Sequence, residues 1–549
     1  MKTREEALRA IEGKAFDVCV IGGGATGSGC ALDSQLRGLK TVQLEAEDFA
    51  SGASSASTKM VHGGVRYLQE AIRNIDFKEY RVLKEALHER VPMLRNAPFL
   101  TNTRFFLTPC YRCLDVAYFA TGLKLYDWIA GRDGLGPSTF ISREQALHRM
   151  PSLASSGLVG AVVYADGQFN DARYNITLVK TFEEAGGETL NYARVVAFER
   201  DAAGRLATAV VADKSSRRDF VVHARSFVNA TGPYADNIRK MATPDVPLRI
   251  KFSKGVHIVL PLEILCSTEA MLIPKTEDGR VLFAIPWLGS LLVGTTDDEI
   301  DSPDRLHLEA KEIQYLLRHL SRYLAKPVTA DQIASGIVGV RPLVGSGESS
   351  STKKIARTHE VEVDSKSGLI SIMGGKWTTY RAMAQDTIDA VQKYLGISIS
   401  QCQTLRHMLS GSDGYSTDYW KSLAKLDGVT ELAARHLAAQ FGTRASKVVD
   451  LAQEEPELAA PLAEGLVPTR AEAAFAIRDE MAMSIEDVLS RRIGLQTHSW
   501  KHAIRAAPAV AELLASELGW SEKEKQEALD QYVAKIRDLM ANAGLAERL

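Results

Sequence analysis

Three glycines and an acid carry the first chemistry legible in this chain. Gly22, Gly24 and Gly27 are spaced G-x-G-x-x-G directly after an apolar run, Val18 to Ile21. In that pattern the first glycine allows a tight turn and the second lets the backbone approach a pyrophosphate. The third lets the next helix pack close to the strand. Ala25 and Thr26 open that helix, whose free N–H groups and positive dipole end suit phosphate. Glu45 follows about 20 residues on, the spacing of a carboxylate that hydrogen-bonds a ribose hydroxyl. Together these predict a dinucleotide site, for NAD or FAD. Residues 50–59 favour FAD. They are nearly all small, and suit a backbone lying against a flat ligand and donating N–H and hydroxyl bonds, with Ser57, Thr58 and Lys59 at its end. A second glycine turn, Gly374-Gly375, runs through Lys376, Trp377 and Thr378 into another helix. Donors and a dipole there would stabilise negative charge on the pyrimidine end of a reduced flavin.

The groups able to move a proton or grip an anion lie elsewhere. His62 precedes Gly63-Gly64, and His257 lies in Gly255-Val256-His257. An imidazole titrates near neutral pH and can act as a base. Arg66 and Arg341 carry the planar fork that binds phosphate bidentately. Each also has a bland reading. A lone histidine is more often structural, and either arginine could sit in a structural ion pair. Cys110-x-x-Cys113 invites a redox or zinc reading, but no second pair completes a zinc site, and no metal site is expected.

These groups need a scaffold. Residues 18–21 read as a buried strand of a parallel sheet. A helix over about 25–37 is capped by Gly38, and a second strand covers 40–44. Residues 69–90 read as a helix ended by Pro92 and Pro98. A strand is predicted at 104–109. An aromatic-rich helix is predicted at 115–130, with ordinary packing favoured over membrane-surface contact. A helix at 174–185 is followed by strands at 191–200, 206–212 and 219–224. A separate buried strand begins at Ser226 and runs into Ala230-Thr231-Gly232. Strands at 255–260, 270–273, 280–285 and 291–295 predict an antiparallel sheet, with a helix at 311–324 and a strand at 369–373. From residue 401 the pattern is helical, with capping boxes Thr469-x-x-Glu472 and Ser521-x-x-Glu524.

Bulk properties bound the class. The 549 residues call for more than one domain, and 45% hydrophobic residues can build large cores. A net charge of −2 gives no basic excess, and no basic stripe with interleaved aromatics suggests nucleic acid. Six scattered cysteines fit a reducing compartment. The charged start has no apolar h-region, and no run of about 18 apolar residues spans a bilayer.

SSASTKMVHGGVRYL at 54–68 resembles the signature of FAD-dependent glycerol-3-phosphate dehydrogenases and their oxidase relatives, in the D-amino-acid-oxidase-like branch of flavoproteins. Five further segments agree, in order: FVNATGPYAD at 227–236, KGVHIVLP at 254–261, LLVGTTDDE at 291–299, SGIVGVRPL at 335–343 and GGKWTTYR at 374–381. The resemblance implies an α/β fold in three parts. A discontinuous Rossmann-like FAD-binding domain takes residues 15–95, 166–240 and 335–400. A substrate cap domain built on an antiparallel sheet takes 96–165 and 241–334. A helical C-terminal domain takes 401–549. It also brings the backbone near Val195-Val196 to the adenine, and Ala230-Thr231-Gly232 against the cofactor. Oxidising an alcohol with a flavin requires its C–H over flavin N5, a base for the hydroxyl proton, and cations for a charged substrate. By resemblance Arg66 and Arg341 hold a phosphate, with Tyr67, Lys376 and Thr379 assisting. His62 or His257 is the base, His62 being favoured because Gly63-Gly64 bring it close to the ring. Arg341 and Lys376 would stabilise the developing alkoxide.

The expected function is FAD-dependent oxidation of sn-glycerol 3-phosphate to dihydroxyacetone phosphate. Electrons then pass to a membrane quinone, from a protein resting on the inner face of a bacterial cytoplasmic membrane. The alternative is an oxidase that uses O2 and produces H2O2. The absence of an insertion between Arg341 and Gly375 favours the dehydrogenase. A rival of another class, a flavoprotein that binds RNA or a protein partner, lacks the basic stripe it needs. The charged helices of the tail are offered as solvated, homodimer-forming or membrane-facing surfaces.

Overall fold

The computed structural model describes residues 4–64, 77–304, 306–345 and 358–545. Two sheets and a helical region organise them. The first sheet has eight strands. Its centre is parallel: Ala15–Ile21 pairs on one side with Thr41–Leu44 and on the other with Arg218–Asn229, which pairs in turn with Ile370–Gly374. The helices Ala25–Leu36, Asp171–Glu184 and Tyr380–Tyr394 cover one face, sharing a core with Val18, Val20, Val228 and Ile370. Such a sheet is buried on both faces, which is why residues 18–21 are continuously apolar.

Two sequence expectations change here. The strands read separately at 219–224 and from 226 are one strand, Arg218–Asn229. Its first half alternates, because it faces solvent on one side in a hairpin with Leu206–Asp213. Its last four residues, Ser226 to Asn229, are fully buried beside Ala15–Ile21. That switch in pattern imitates a break. The helix Phe77–Asn96 also continues through Pro92. A mid-helix proline costs about 3 kcal/mol. Burial of Leu83 and Leu87, and the ion pairs Arg90–Asp166 and Arg381–Glu89, outweigh it.

The second sheet has ten strands. It is antiparallel except where Ala270–Ile273 runs parallel to Thr101–Cys110. Met60–Val61 and Ser335–Val344 both hydrogen-bond into it, so the segments bearing His62 and Arg341 are strands of this roof or adjoin it. The helices Arg470–Glu480 and Trp500–Leu518 pack on its outer side, and Val256, Met271, Ala473, Trp500 and Val510 share one core. Both expected capping boxes form. The six cysteines are free thiols. No helix among the described residues is long and apolar enough to cross a membrane. The helix Cys113–Ala130 buries Leu123, Tyr126 and Ala130 and leaves Leu114, Tyr118 and Trp128 exposed.

Candidate active site

The two sheets meet at a cavity of about 1390 Å³. One wall is the strand–turn–helix that begins at Gly22. Gly22 has φ +118°, and a Cβ there would lie 2.5 Å from the Ala230 carbonyl. A Cβ on Gly27 would strike the Gly22 carbonyl. Both glycines are therefore dictated by close backbone approach. Gly24 leaves the N-terminus of the helix Ala25–Leu36 open to the cavity, apart from the Ala25 N–H, which donates to Ser54 Oγ at 2.9 Å. Glu45 Oε2 accepts the Gly23 N–H at 2.5 Å and Oε1 accepts the Glu47 N–H. Burial raises its pKa, and those two N–H donors work against the rise. A pyrophosphate cradle, a carboxylate at the second strand and a long cavity fit a dinucleotide. These residues would hold FAD, and Ala25, Thr26, Ser57, Thr58, Val196, Ala230, Thr231 and Gly232 line the same cavity.

The second glycine turn faces them. Gly375 has φ +79°, and Gly375, Lys376, Trp377 and Thr378 line the cavity. The Trp377 indole donates to the Ser54 carbonyl at 2.9 Å, tying this turn to the small-residue loop. His62 follows Met60–Val61, lines the cavity, and donates its backbone N–H to Thr378 Oγ1 at 3.3 Å. Its ring meets the edge of Phe283, centroids 6.4 Å apart. Lys376 Nζ donates to the Gly63 carbonyl at 3.3 Å.

His257 and Arg341 come from neighbouring strands of the roof. His257 is 1% exposed, with Nε2 3.0 Å from Thr58 Oγ1. Burial, then the charges of Arg341 and Lys59, push its pKa down to about 3, so it is a neutral imidazole at neutral pH. Arg341 Nη2 donates to Thr295 Oγ1 at 2.8 Å, and Nη1 lies 3.5 Å from Asp297 Oδ1. Its guanidinium crosses directly over Gly255, where any Cβ would collide with it. That glycine is required by approach, not by its dihedral angles.

Four expected contacts, Lys59, Gly63, Gly64 and Thr379, do not line the cavity. Lys59 is 2% exposed, and its Nζ pairs with Asp171 at 2.5 Å and donates to the Ser55 carbonyl. It holds the loop from behind. Thr379 turns its hydroxyl to the Lys376 carbonyl at 3.2 Å. Gly63 and Gly64 lie behind His62, the Gly63 N–H donating to the Tyr126 hydroxyl at 2.9 Å. Arg66 and Tyr67 lie outside the described residues.

Several supports had no sequence signal. Asp171 accepts both Lys59 and the Ser57 N–H. Tyr126 donates to Asp166, which also takes Arg90, so a buried relay seats the turn after His62. Thr295 and Asp297 fall inside the quoted LLVGTTDDE segment, and only the fold shows that they hold Arg341.

Residues 17–381 match a family model described as FAD dependent oxidoreductase, and residues 402–525 match one described as the C-terminal domain of alpha-glycerophosphate oxidase. The human mitochondrial glycerol-3-phosphate dehydrogenase is 39% identical over 540 residues, covering 96% of this chain and 74% of that protein. The probable mitochondrial glycerol-3-phosphate dehydrogenase of Caenorhabditis elegans is 38% identical over 97% of this chain. A crystal structure of glycerol-3-phosphate dehydrogenase from Bacillus halodurans complexed with FAD is 29% identical, with a TM-score of 0.79 over 97% of both chains. The dithionite-reduced L-alpha-glycerophosphate oxidase of Mycoplasma pneumoniae shares the fold, with a TM-score of 0.55 over 69% of this chain at 16% identity.

Proposed function

The chain belongs to the FAD-dependent glycerol-3-phosphate dehydrogenase family and is an FAD-dependent dehydrogenase of that substrate; on this premise we propose how its residues do the work and where the electrons go. Bound FAD supplies the two-electron acceptor for the hydride from C2 of sn-glycerol 3-phosphate. The chain must hold the phosphate, take the hydroxyl proton and steady the charge left on oxygen. His62 takes the proton. Arg341 and Lys376 hold the anion and stabilise the developing alkoxide. Arg66 and Tyr67 complete the phosphate site by family motif. His257, buried and neutral, orients Thr58 rather than accepting the proton. Gly22, Gly24, Ala25, Thr26, Glu45 and Thr231 hold the cofactor. The observation that supports this most is that His62, Arg341 and Lys376 all line the cavity that the Gly22–Gly27 turn opens.

We further propose that electrons pass to a membrane quinone from a protein seated on a membrane surface. The exposed Leu114 and Trp128, on the helix whose other side packs, support this seat. The oxidase alternative rests on the description of the model matched by residues 402–525. One assay separates the readings. Glycerol 3-phosphate should bleach the flavin spectrum, while glycerol and D-amino acids should not. Reoxidation should be fast with quinone and slow with oxygen. Rapid peroxide formation in air would overturn the dehydrogenase.

A further inference from the structure

The cavity is also lined by residues that belong to no nucleotide-binding pattern. Beyond Glu45, Tyr192 and Val196 its wall is made by Met483 and Asp487, and by Gln531 and Lys535 on the last helix, Glu522–Asn542.

This wall is anchored from beneath. Asp48, three residues past Glu45, is buried and accepts Arg491 Nε at 2.5 Å and the two terminal nitrogens of Arg492 at 2.7 and 2.8 Å. Asn191 Nδ2 bridges Asp48 and the Met481 carbonyl, at 3.2 and 2.8 Å. The Tyr192 hydroxyl lies 2.9 Å from both oxygens of Asp487. Buried charges persist only when paired. Residues 481–492 therefore cannot leave the Glu45 turn without stranding Asp48 and Arg492, since Arg491 alone keeps a second carboxylate partner, Asp487. At the rim, Lys535 Nζ lies 2.7 and 2.8 Å from the two oxygens of Glu486, tying the last helix to the same segment.

We propose that the C-terminal helical region is part of the cofactor site: residues 481–492 and the helix Glu522–Asn542 clasp the adenosine half of FAD against Glu45 and Val196, so FAD affinity and the docking of this region are coupled. The inference rests on the reading of Glu45 as the ribose carboxylate. A ligand held between two packed bodies draws on both. By linkage it strengthens their contact by the factor with which that contact strengthens it. The substrate end of the cavity is untouched by this coupling, so the effect belongs to cofactor retention and not to turnover of loaded enzyme.

The test titrates FAD into full-length apoprotein, followed by flavin fluorescence, with hydrogen exchange measured on residues 481–492 and 522–542. Gln531 and Lys535 are exposed, so their replacement leaves the fold in place. Gln531→Trp and Lys535→Glu should each weaken FAD by about fivefold or more. Adding Glu486→Lys to Lys535→Glu should restore affinity, and FAD should slow exchange in both segments. Wild-type affinity in Gln531→Trp and Lys535→Glu, with a loss in Glu45→Gln, overturns the clasp and leaves the ribose reading standing. Wild-type affinity in all three overturns both. A charge swap that restores nothing overturns the coupling.

Discussion

His62 and His257 look alike in sequence, each beside glycine in a quoted motif, and their surroundings separate them. His257 is enclosed, with Arg341 and Lys59 near enough to oppose a proton. With its pKa near 3 it stays neutral between about pH 5 and 8, where an unperturbed histidine titrates. His257→Gln should therefore leave the acid limb of the flavin-reduction rate where it is, and disturb instead the position of Thr58. His62→Gln should slow reduction by ~10²–10⁴-fold with FAD still bound. Stopped-flow bleaching across that range decides between them. A wild-type rate in His62→Gln would remove its role. The residue types were legible from the chain, but which imidazole is shielded depends on Thr58, Arg341 and Lys59 converging from distant segments.

Between elements, the C-terminal end of the helix Arg470–Glu480 matters most. Glu480 accepts Arg173 through both oxygens, at 2.5 and 2.9 Å, and lies 3.1 Å from Arg444. Burial alone would raise its pKa, but Arg173 and Arg444 outweigh burial and pull it from 4.5 to about 2. A depressed carboxylate contributes stability that is present above its unfolded pKa. That stability is lost as pH falls through the folded one. Thermal melts should therefore show Tm dropping from about pH 4.5 toward about pH 2. Glu480→Gln should flatten that slope and cost about 3–5 kcal/mol at neutral pH, because the buried Arg173 loses its counter-charge. An unchanged slope in the variant would place the acid sensitivity elsewhere. The helix that ends at Glu480 was readable from its capping box. The pairing of Glu480 with Arg173 was not, because no local pattern links residues so far apart.

At the scale of the molecule, the helix Cys113–Ala130 presents an apolar face that is exposed among the described residues. Leu114 is 81% exposed and Trp128 75%, on the helix Cys113–Ala130. If this face rests on lipid, Leu114→Glu with Trp128→Glu should abolish sedimentation with anionic phospholipid vesicles. Quinone reduction in those vesicles should fall with it, and dye-linked oxidation of glycerol 3-phosphate in solution should persist. Undiminished sedimentation would reject the seat. The chain by itself determined the nucleotide-binding sheet, because strand, glycines, helix and acid lie within one short stretch and follow from local sterics. It also determined which residue types could bind phosphate and move a proton. Only the tertiary structure decided that Lys59 is a buried anchor, that His257 is neutral, and that residues of the C-terminal region line the same cavity as the glycine turn. Each of those outcomes depends on burial and on charges brought together from far apart in the chain, which periodicity and spacing do not encode.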